Sequence, residues 1–219
     1  MWGRAHDRIG YIAVFGMGGY SYGNIDAQIE TLNDLLDEIL AELADTDALI
    51  LDISFNGGGY DFFGTEIAAR FTDKKRLAFS KWPATAPQYR QQRYITPRTE
   101  KDADGTMYFK PVWLVTNDVT ASAAEIFTMC MRSLPQVTTV GLHTEGALSD
   151  ILQKTLPNGW GLGLSNEIYH DHEGICHEGP GVPPQIEMHI FDKDDVNRVG
   201  HAESMQRIVK MMLEKLDEN

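Results

Sequence analysis

At 219 residues the chain is long enough to bury a sizeable core without disulfide or metal staples, and a single domain over 1–219 is expected. Hydrophobic residues make up 42%, beside 20 Gly and 9 Pro, an ordinary globular mixture with no apolar run near the length a bilayer needs. The 32 acidic against 19 basic residues leave a formal net charge of −13, which repels phosphate backbones and argues against nucleic acid as a partner.

The N-terminus "MWGRAHDRIGYIAVF" lacks the basic start, long apolar core and small-residue cleavage site of a secretory signal. Within it "RIGYIAVFG" reads as a strand, running into the glycine-rich loop "GMGGYSYG". From Ile25 the apolar positions Ile29, Leu32, Leu36, Ile39, Leu40 and Leu43 recur by threes and fours, which predicts an amphipathic helix with Asn24 as its cap. "DALILDISF" is a nearly unbroken apolar run of strand length, the mark of a strand buried on both faces. Strand, helix and buried strand make a βαβ unit.

The grammar then repeats. Three glycines in "NGGGYDFFGTEIAARF" lead into a stretch with Phe63, Ile67, Ala68 and Phe71 at helical spacing. A basic strip follows, carrying Lys74, Lys75, Arg76, Lys81, Arg90, Arg93, Arg98 and Lys101; it reads as a solvated loop face, with a site for an anionic group as the alternative. "KPVWLVTN" is another buried-type strand, "SAAEIFTMCMRSL" a helix, and "VTTVGLHTEG" a strand and loop. "TLPNGWGLGLSNEIYHDHEGICHEG" reads as strands about a turn at Asn158-Gly159, and "AESMQRIVKMMLEKLDEN" as a final amphipathic helix. Alternating strands and helices place the chain in the α/β class.

Three stretches carry titratable or nucleophilic chemistry. Ser122-Ala123-Ala124-Glu125 is a literal S-x-x-E, the pattern in which serine and glutamate satisfy each other's orphan amides at a helix start. The same place suits a nucleophile, because a serine at a strand-to-helix turn is displayed at the sheet's edge and the helix N-terminus favours developing negative charge. Asn56-Gly57-Gly58-Gly59 follows a buried strand, so its amides can approach a substrate oxygen, or its glycines merely make the turn. It has neither the spacing nor the lysine of a phosphate loop. "YHDHEGICHEGPG" gathers His170, Asp171, His172, Glu173, Cys176, His177 and Glu178, where zinc is a minority alternative to solvated turn residues, since the spacing matches no standard metal motif. The two cysteines, Cys130 and Cys176, are too few for a disulfide scaffold.

Taken in order, these segments resemble the tail-specific, or C-terminal processing, serine peptidase family, which includes the tricorn protease core and the repeats of interphotoreceptor retinoid-binding protein. "LDISFNGGG" resembles its DxRxNxGG turn, "EIAARF" its iA..F helix, Thr120–Glu125 its TAS-[AS]-[AS]-E motif, "VGLHTEG" its vG..T.G turn, "LPNGWGLGLSNE" its LPNG hairpin and "EGPGVPPQ" its E..Gv.PD closing. The resemblance runs from about Ile9 to Ile190 and implies a crotonase/ClpP-like α/β spiral and peptide-bond hydrolysis without a cofactor. It implies Ser122 as nucleophile, an oxyanion hole formed by the amides of Ala123 and Gly58 or Gly59, and extended polypeptide substrates added as a strand beside the site. No PDZ domain is expected in this chain, an extracytoplasmic location is expected, and a homo-oligomer is left open.

The departures are specific. Where the processing branch carries a lysine base, this chain has Ala147 and Leu148, which excludes a Ser-Lys dyad. The tricorn-like branch pairs the glutamate matched by Glu178 with a histidine from a preceding domain; a local substitute here is His143. Ser54 stands for the family's arginine and Gln185 for its aspartate. Two rivals remain: a ligand- or peptide-binding module of the same fold, to which the aromatics Phe62, Phe63, Trp82 and Trp160 would contribute, and a metal-dependent hydrolase centred on His170, His172 and Glu173.

Overall fold

The computed structural model describes residues 1–97, 106–191 and 199–218. Arg98 and Lys101 of the basic strip lie outside the described residues. The sequence's strands and helices form in their expected order. β1 (Trp2–His6), β2 (Ile9–Ala13), β3 (Ala48–Asp52), β6 (Val112–Thr116), β7 (Val137–Gly141) and β11 (Ile186–Glu187) make a six-stranded sheet in the order β1-β2-β3-β6-β7-β11. β1 is antiparallel to β2, and the remaining pairings are parallel.

The apolar run "ALILD" of β3 explains the layering. Leu49 and Leu51, followed by Ile53, join the core beneath α1 (Ile25–Glu42), α2 (Asp61–Ala68) and α3 (Ala123–Arg132). Ala48 and Ile50 point the other way and meet Met205, Ile208 and Met212 of α4 (Val199–Asp217). A strand covered on both faces loses the polar alternation of a surface strand, which is why the sequence shows an unbroken run. α1 starts as its sequence implies: Asn24 Oδ1 accepts the Ala27 amide at 3.0 Å. None of the described helices is long and apolar enough to cross a membrane.

The basic strip differs from its reading as a loop. β4 (Arg76–Pro83) and β5 (Gln91–Ile95) form an antiparallel ribbon, extended on the other side of β4 by β10 (Glu167–Asp171) in the order β10-β4-β5. Ala78, Phe79 and Ser80 are buried while the cations stay at the rim, so the charges hid a strand anchored by only a few apolar residues. β8 (Ile151–Thr155) and β9 (Gly161–Ser165) form the hairpin about Asn158-Gly159, exposed along its whole length, with Gly159 at φ 85° in the turn. Cys130 is buried and Cys176 exposed, both as free thiols.

Candidate active site

The turn between β6 and α3 is strapped down before it reaches Ser122. Thr120 Oγ1 accepts the Asn117 amide at 3.0 Å and donates to the Ile53 carbonyl at 3.0 Å, and the Ala121 amide donates to the Asn56 carbonyl at 3.1 Å. Ser122 then takes φ 55° and ψ −126°, the one non-glycine with positive φ among the described residues. Such a conformation costs on the order of 1–3 kcal/mol and persists only where its surroundings over-determine it.

Glu125 ties this turn to a distant loop. Its fully buried carboxylate accepts the Ser122 amide (3.1 Å) and the Ala147 amide (2.8 Å) on Oε2, and the Thr144 hydroxyl (2.5 Å) and Gly146 amide (2.8 Å) on Oε1. The glutamate half of the capping box is therefore formed. The Glu125 amide donates to the Ser122 carbonyl at 2.8 Å. Burial raises the Glu125 carboxyl above its ordinary value against the opposing pull of these donors. The sequence identified Glu125 as a cap; its grip on Thr144, Gly146 and Ala147, some twenty residues away, has no local signal.

The glycine loop meets Ser122 from the other side. A β-carbon on Gly58, whose φ is +102°, would stand 2.7 Å from that of Ser122 and 3.1 Å from the Ala123 nitrogen. Asn56 shapes this loop: its Nδ2 donates to the Val14 carbonyl at 2.9 Å, and its Oδ1 accepts the Gly58 amide at 2.9 Å. Met17 donates to the Gly58 carbonyl and accepts from the Tyr60 amide, both at 2.8 Å, so Gly59 between them turns its own amide away from Met17. Among the described residues no acceptor is assigned to the amides of Gly59 or Ala123.

Neither His143 nor Glu178 makes a hydrogen bond to Ser122. The loop 142–147 lies along residues 116–120 through Leu142 N to Thr116 O (3.2 Å) and Glu145 N to Thr120 O (2.9 Å), and His143 stands exposed on it with no hydrogen bond to Ser122. Glu178 Oε2 accepts the amides of Leu148 (3.0 Å) and Ser149 (2.9 Å). The Gly179 amide donates to the Gly146 carbonyl at 2.8 Å, which joins the segment carrying Glu178 to the loop held by Glu125.

The histidine-rich segment separates into different roles. His177 Nε2 lies 2.8 Å from Asp171 Oδ2, both buried; His170 packs edge-on to Trp82 with centroids 4.7 Å apart. Among the described residues no group of three His, Cys, Asp or Glu side chains is arranged to hold a metal ion. Gln185, in the aspartate's place, accepts the Thr139 amide at 2.8 Å through Oε1 and donates its own amide to the Thr139 carbonyl at 3.0 Å, tying the start of β11 to β7. Ser54, in the arginine's place, is buried, and its amide donates to Asp52 Oδ1 at 2.9 Å.

Beside the glycine loop, the Lys81 ammonium contacts Asp150 (2.9 Å), Glu167 (2.7 Å) and the Tyr169 hydroxyl (2.9 Å), and Tyr169 also reaches Asp61 at 3.3 Å. Burial, aided by Asp150 and opposed by Lys81, pushes the Asp61 carboxyl up to about 6. Acid partners raise Lys81 against the effect of burial, so its amine stays protonated. Nothing in the sequence linked these residues, which come from α2, β4, β10 and the loop before β8.

The sequence profile of peptidase family S41 matches residues 8–188. The chain belongs to peptidase family S41. An uncharacterized protein of Chlamydia muridarum is 26% identical over 113 residues, which are 50% of this chain and 19% of that protein. A crystal structure of a candidate peptidase from Parabacteroides merdae covers the whole chain at 25% identity with a TM-score of 0.78; the match takes in 65% of that protein. The photosystem II D1 C-terminal processing protease, at 18% identity and a TM-score of 0.65 over 93% of this chain and 48% of its own, shares the fold. This S41 chain thus spans about a fifth of the curated relative it matches and just under two thirds of the Parabacteroides protein.

Proposed function

We propose that this S41 chain is the catalytic core of a serine peptidase that cleaves extended or C-terminal polypeptide segments through an acyl-enzyme at Ser122. The observation that carries the reading is the positive φ of Ser122, held against the Gly58 backbone at the N-terminus of α3. Strain of this kind displays a hydroxyl above a sheet edge and suits nucleophiles at strand-to-helix turns. In the proposed reaction Ser122 Oγ attacks the scissile carbonyl carbon while its proton passes to a base. The oxyanion that forms is held by the amides of Ala123 and of Gly58 or Gly59, with Gly59 favoured because Asn56 already engages Gly58. Collapse expels the amine, which takes up the proton, and water then hydrolyses the ester.

His143 is assigned as the base because it stands on the loop tied to the residues just before Ser122. His177 is committed to Asp171, and His201 to Asp52. Glu178 is assigned to orient the imidazole or the attacking water through Oε1, while Oε2 holds Leu148 and Ser149. A fluorophosphonate probe followed by mass spectrometry tests the reading. Label is expected on Ser122, abolished by Ser122→Ala and slowed about 100-fold or more by His143→Ala; no label on Ser122 in the full-length protein overturns it.

A second reading, a binding module without turnover, has two observations in its favour. Ala147 occupies the lysine's place, and an apolar cavity of about 280 Å³ lined by Ile12, Val14, Leu32, Leu36 and Ile67 lies beneath the loop at Gly16–Gly19. Of the aromatics expected at a groove, Phe63 is buried in the core and Trp160 is exposed at the tip of the β8–β9 hairpin. Peptide or apolar-ligand binding that survives Ser122→Ala, with no turnover to lose, would select this reading.

A further inference from the structure

The β4–β5 ribbon concentrates positive charge in an acidic protein. Residues 74–97 hold six of the 19 cations and not one carboxylate. Arg76 pairs with Asp73, and Lys81 with Asp150 and Glu167. Lys74, Lys75, Arg90 and Arg93 are exposed and have no carboxylate partner among the described residues. In a chain with 32 acidic side chains, four cations within twenty residues that lack a carboxylate partner among the described residues are not what indiscriminate surface pairing would leave.

Two of these cations are held in place. The Arg90 guanidinium lies 4.8 Å from the Trp82 ring centre, and the Lys75 ammonium 4.4 Å from that of Tyr94. Between them runs β5, exposed from Gln91 to Tyr94 and, among the described residues, paired only with β4. Its free edge offers backbone amides and carbonyls to another strand. Arg90 and the Tyr94 ring beneath Lys75 are four residues apart, about 13 Å along an extended chain, so a strand laid on this edge meets a fixed cation at each end.

Cations on an edge strand can also serve to repel other edges. Here, however, Arg90 is drawn onto the Trp82 ring of β4 and Lys75 onto the Tyr94 ring of β5, which leaves the hydrogen-bonding edge of β5 open between them. We propose that the free edge of β5 is a docking site for an extended acidic polypeptide segment, which adds as a strand and places carboxylates four residues apart against Arg90 and Lys75. The net charge of −13 opposes nucleic acid and anionic membrane at long range, whereas a short acidic peptide needs only the local field and gains the backbone ladder.

The test uses the full chain carrying Ser122→Ala, so that turnover cannot consume the probe. Fluorescence anisotropy is measured with a labelled octapeptide alternating Glu and Val, its Gln-for-Glu counterpart, and the Glu peptide N-methylated at every second residue. The Glu peptide is expected to bind, to weaken as salt is added, and to exceed both controls by roughly tenfold. Arg90→Gln with Arg93→Gln should weaken it by a similar factor, and Lys75→Gln by several-fold. The proposal is overturned if no peptide binds, if the Gln or N-methylated peptide binds as well as the parent, or if the arginine variant is unaffected. Tighter binding of a single-stranded oligonucleotide or of anionic lipid vesicles would likewise overturn it.

Discussion

Gly58 and Ser122 lie so close that a β-carbon on the glycine would stand 2.7 Å from the β-carbon of the serine. No rotamer change relieves that contact, because the next neighbours of the added carbon are the Ala121 carbonyl at 2.8 Å and the Ala123 amide nitrogen at 3.1 Å. Gly58→Ala is therefore expected to cost about 1–3 kcal/mol of stability and to cut fluorophosphonate labelling of Ser122 about 100-fold. Gly57→Ala is the control, since its β-carbon meets nothing within 4 Å. Its unfolding free energy should stay within about 0.5 kcal/mol of the parent.

Ser122 itself should trade stability for function. Replacing it with glycine removes the cost of φ 55° together with the hydroxyl. Ser122→Gly is expected to unfold up to about 1 kcal/mol later in urea and to lose all labelling, while Ser122→Ala loses labelling without that gain. Equal stability for the two variants would show that the turn is unstrained.

Glu125→Gln keeps the shape and removes the charge. Four donors converge on the carboxylate, and an amide nitrogen in place of either oxygen would face two of them. A loss of about 2–4 kcal/mol is expected, with labelling reduced as the loop 144–147 separates from the turn carrying Ser122. Amide hydrogen exchange at Gly146 and Ala147 should accelerate in the variant, which separates local release from global destabilisation.

Asp61 gives a pH signature. Its folded pKa of about 6 lies above the ordinary 3.8, so the folded state binds that proton more tightly than the unfolded chain. The resulting stability is complete below about pH 3.8 and is lost as pH rises through about 6. Asp61→Asn should remove this dependence. The variant's advantage over the parent in urea unfolding should grow between pH 4 and pH 8 by up to about 3 kcal/mol, and a constant difference across that range would refute the assignment.

Arg70 tests the support of α1. Its side chain is fully buried, paired with Asp37 and donating to the Asn33 carbonyl at 3.1 Å. Arg70→Met should cost about 3 kcal/mol, because Asp37 loses its cationic partner, keeping the Thr106 amide at 2.9 Å, and the Asn33 carbonyl loses the Arg70 donor. In the Asp37→Leu background the same substitution should cost clearly less, a difference that a double-mutant cycle reads directly.

The α/β order, the buried strand at Ala48–Asp52, the Asn24 cap and the turn that carries Ser122 were all legible in the amino-acid order. Each rests on neighbours within a few residues: periodicity, a capping side chain, a run of glycines. The amino-acid order could not show that the basic strip folds as a ribbon, because few apolar residues anchor that ribbon and its charges mask their alternation. Only the folded chain reveals that Glu125 grips the loop at Thr144–Ala147, that His177 is committed to Asp171, and that Lys81 gathers Asp150, Glu167 and Tyr169. Most of these partners come from separate elements, brought together by the parallel sheet around Glu125 and by the β10-β4-β5 sheet around Lys81, so their proximity leaves no periodic trace in the chain.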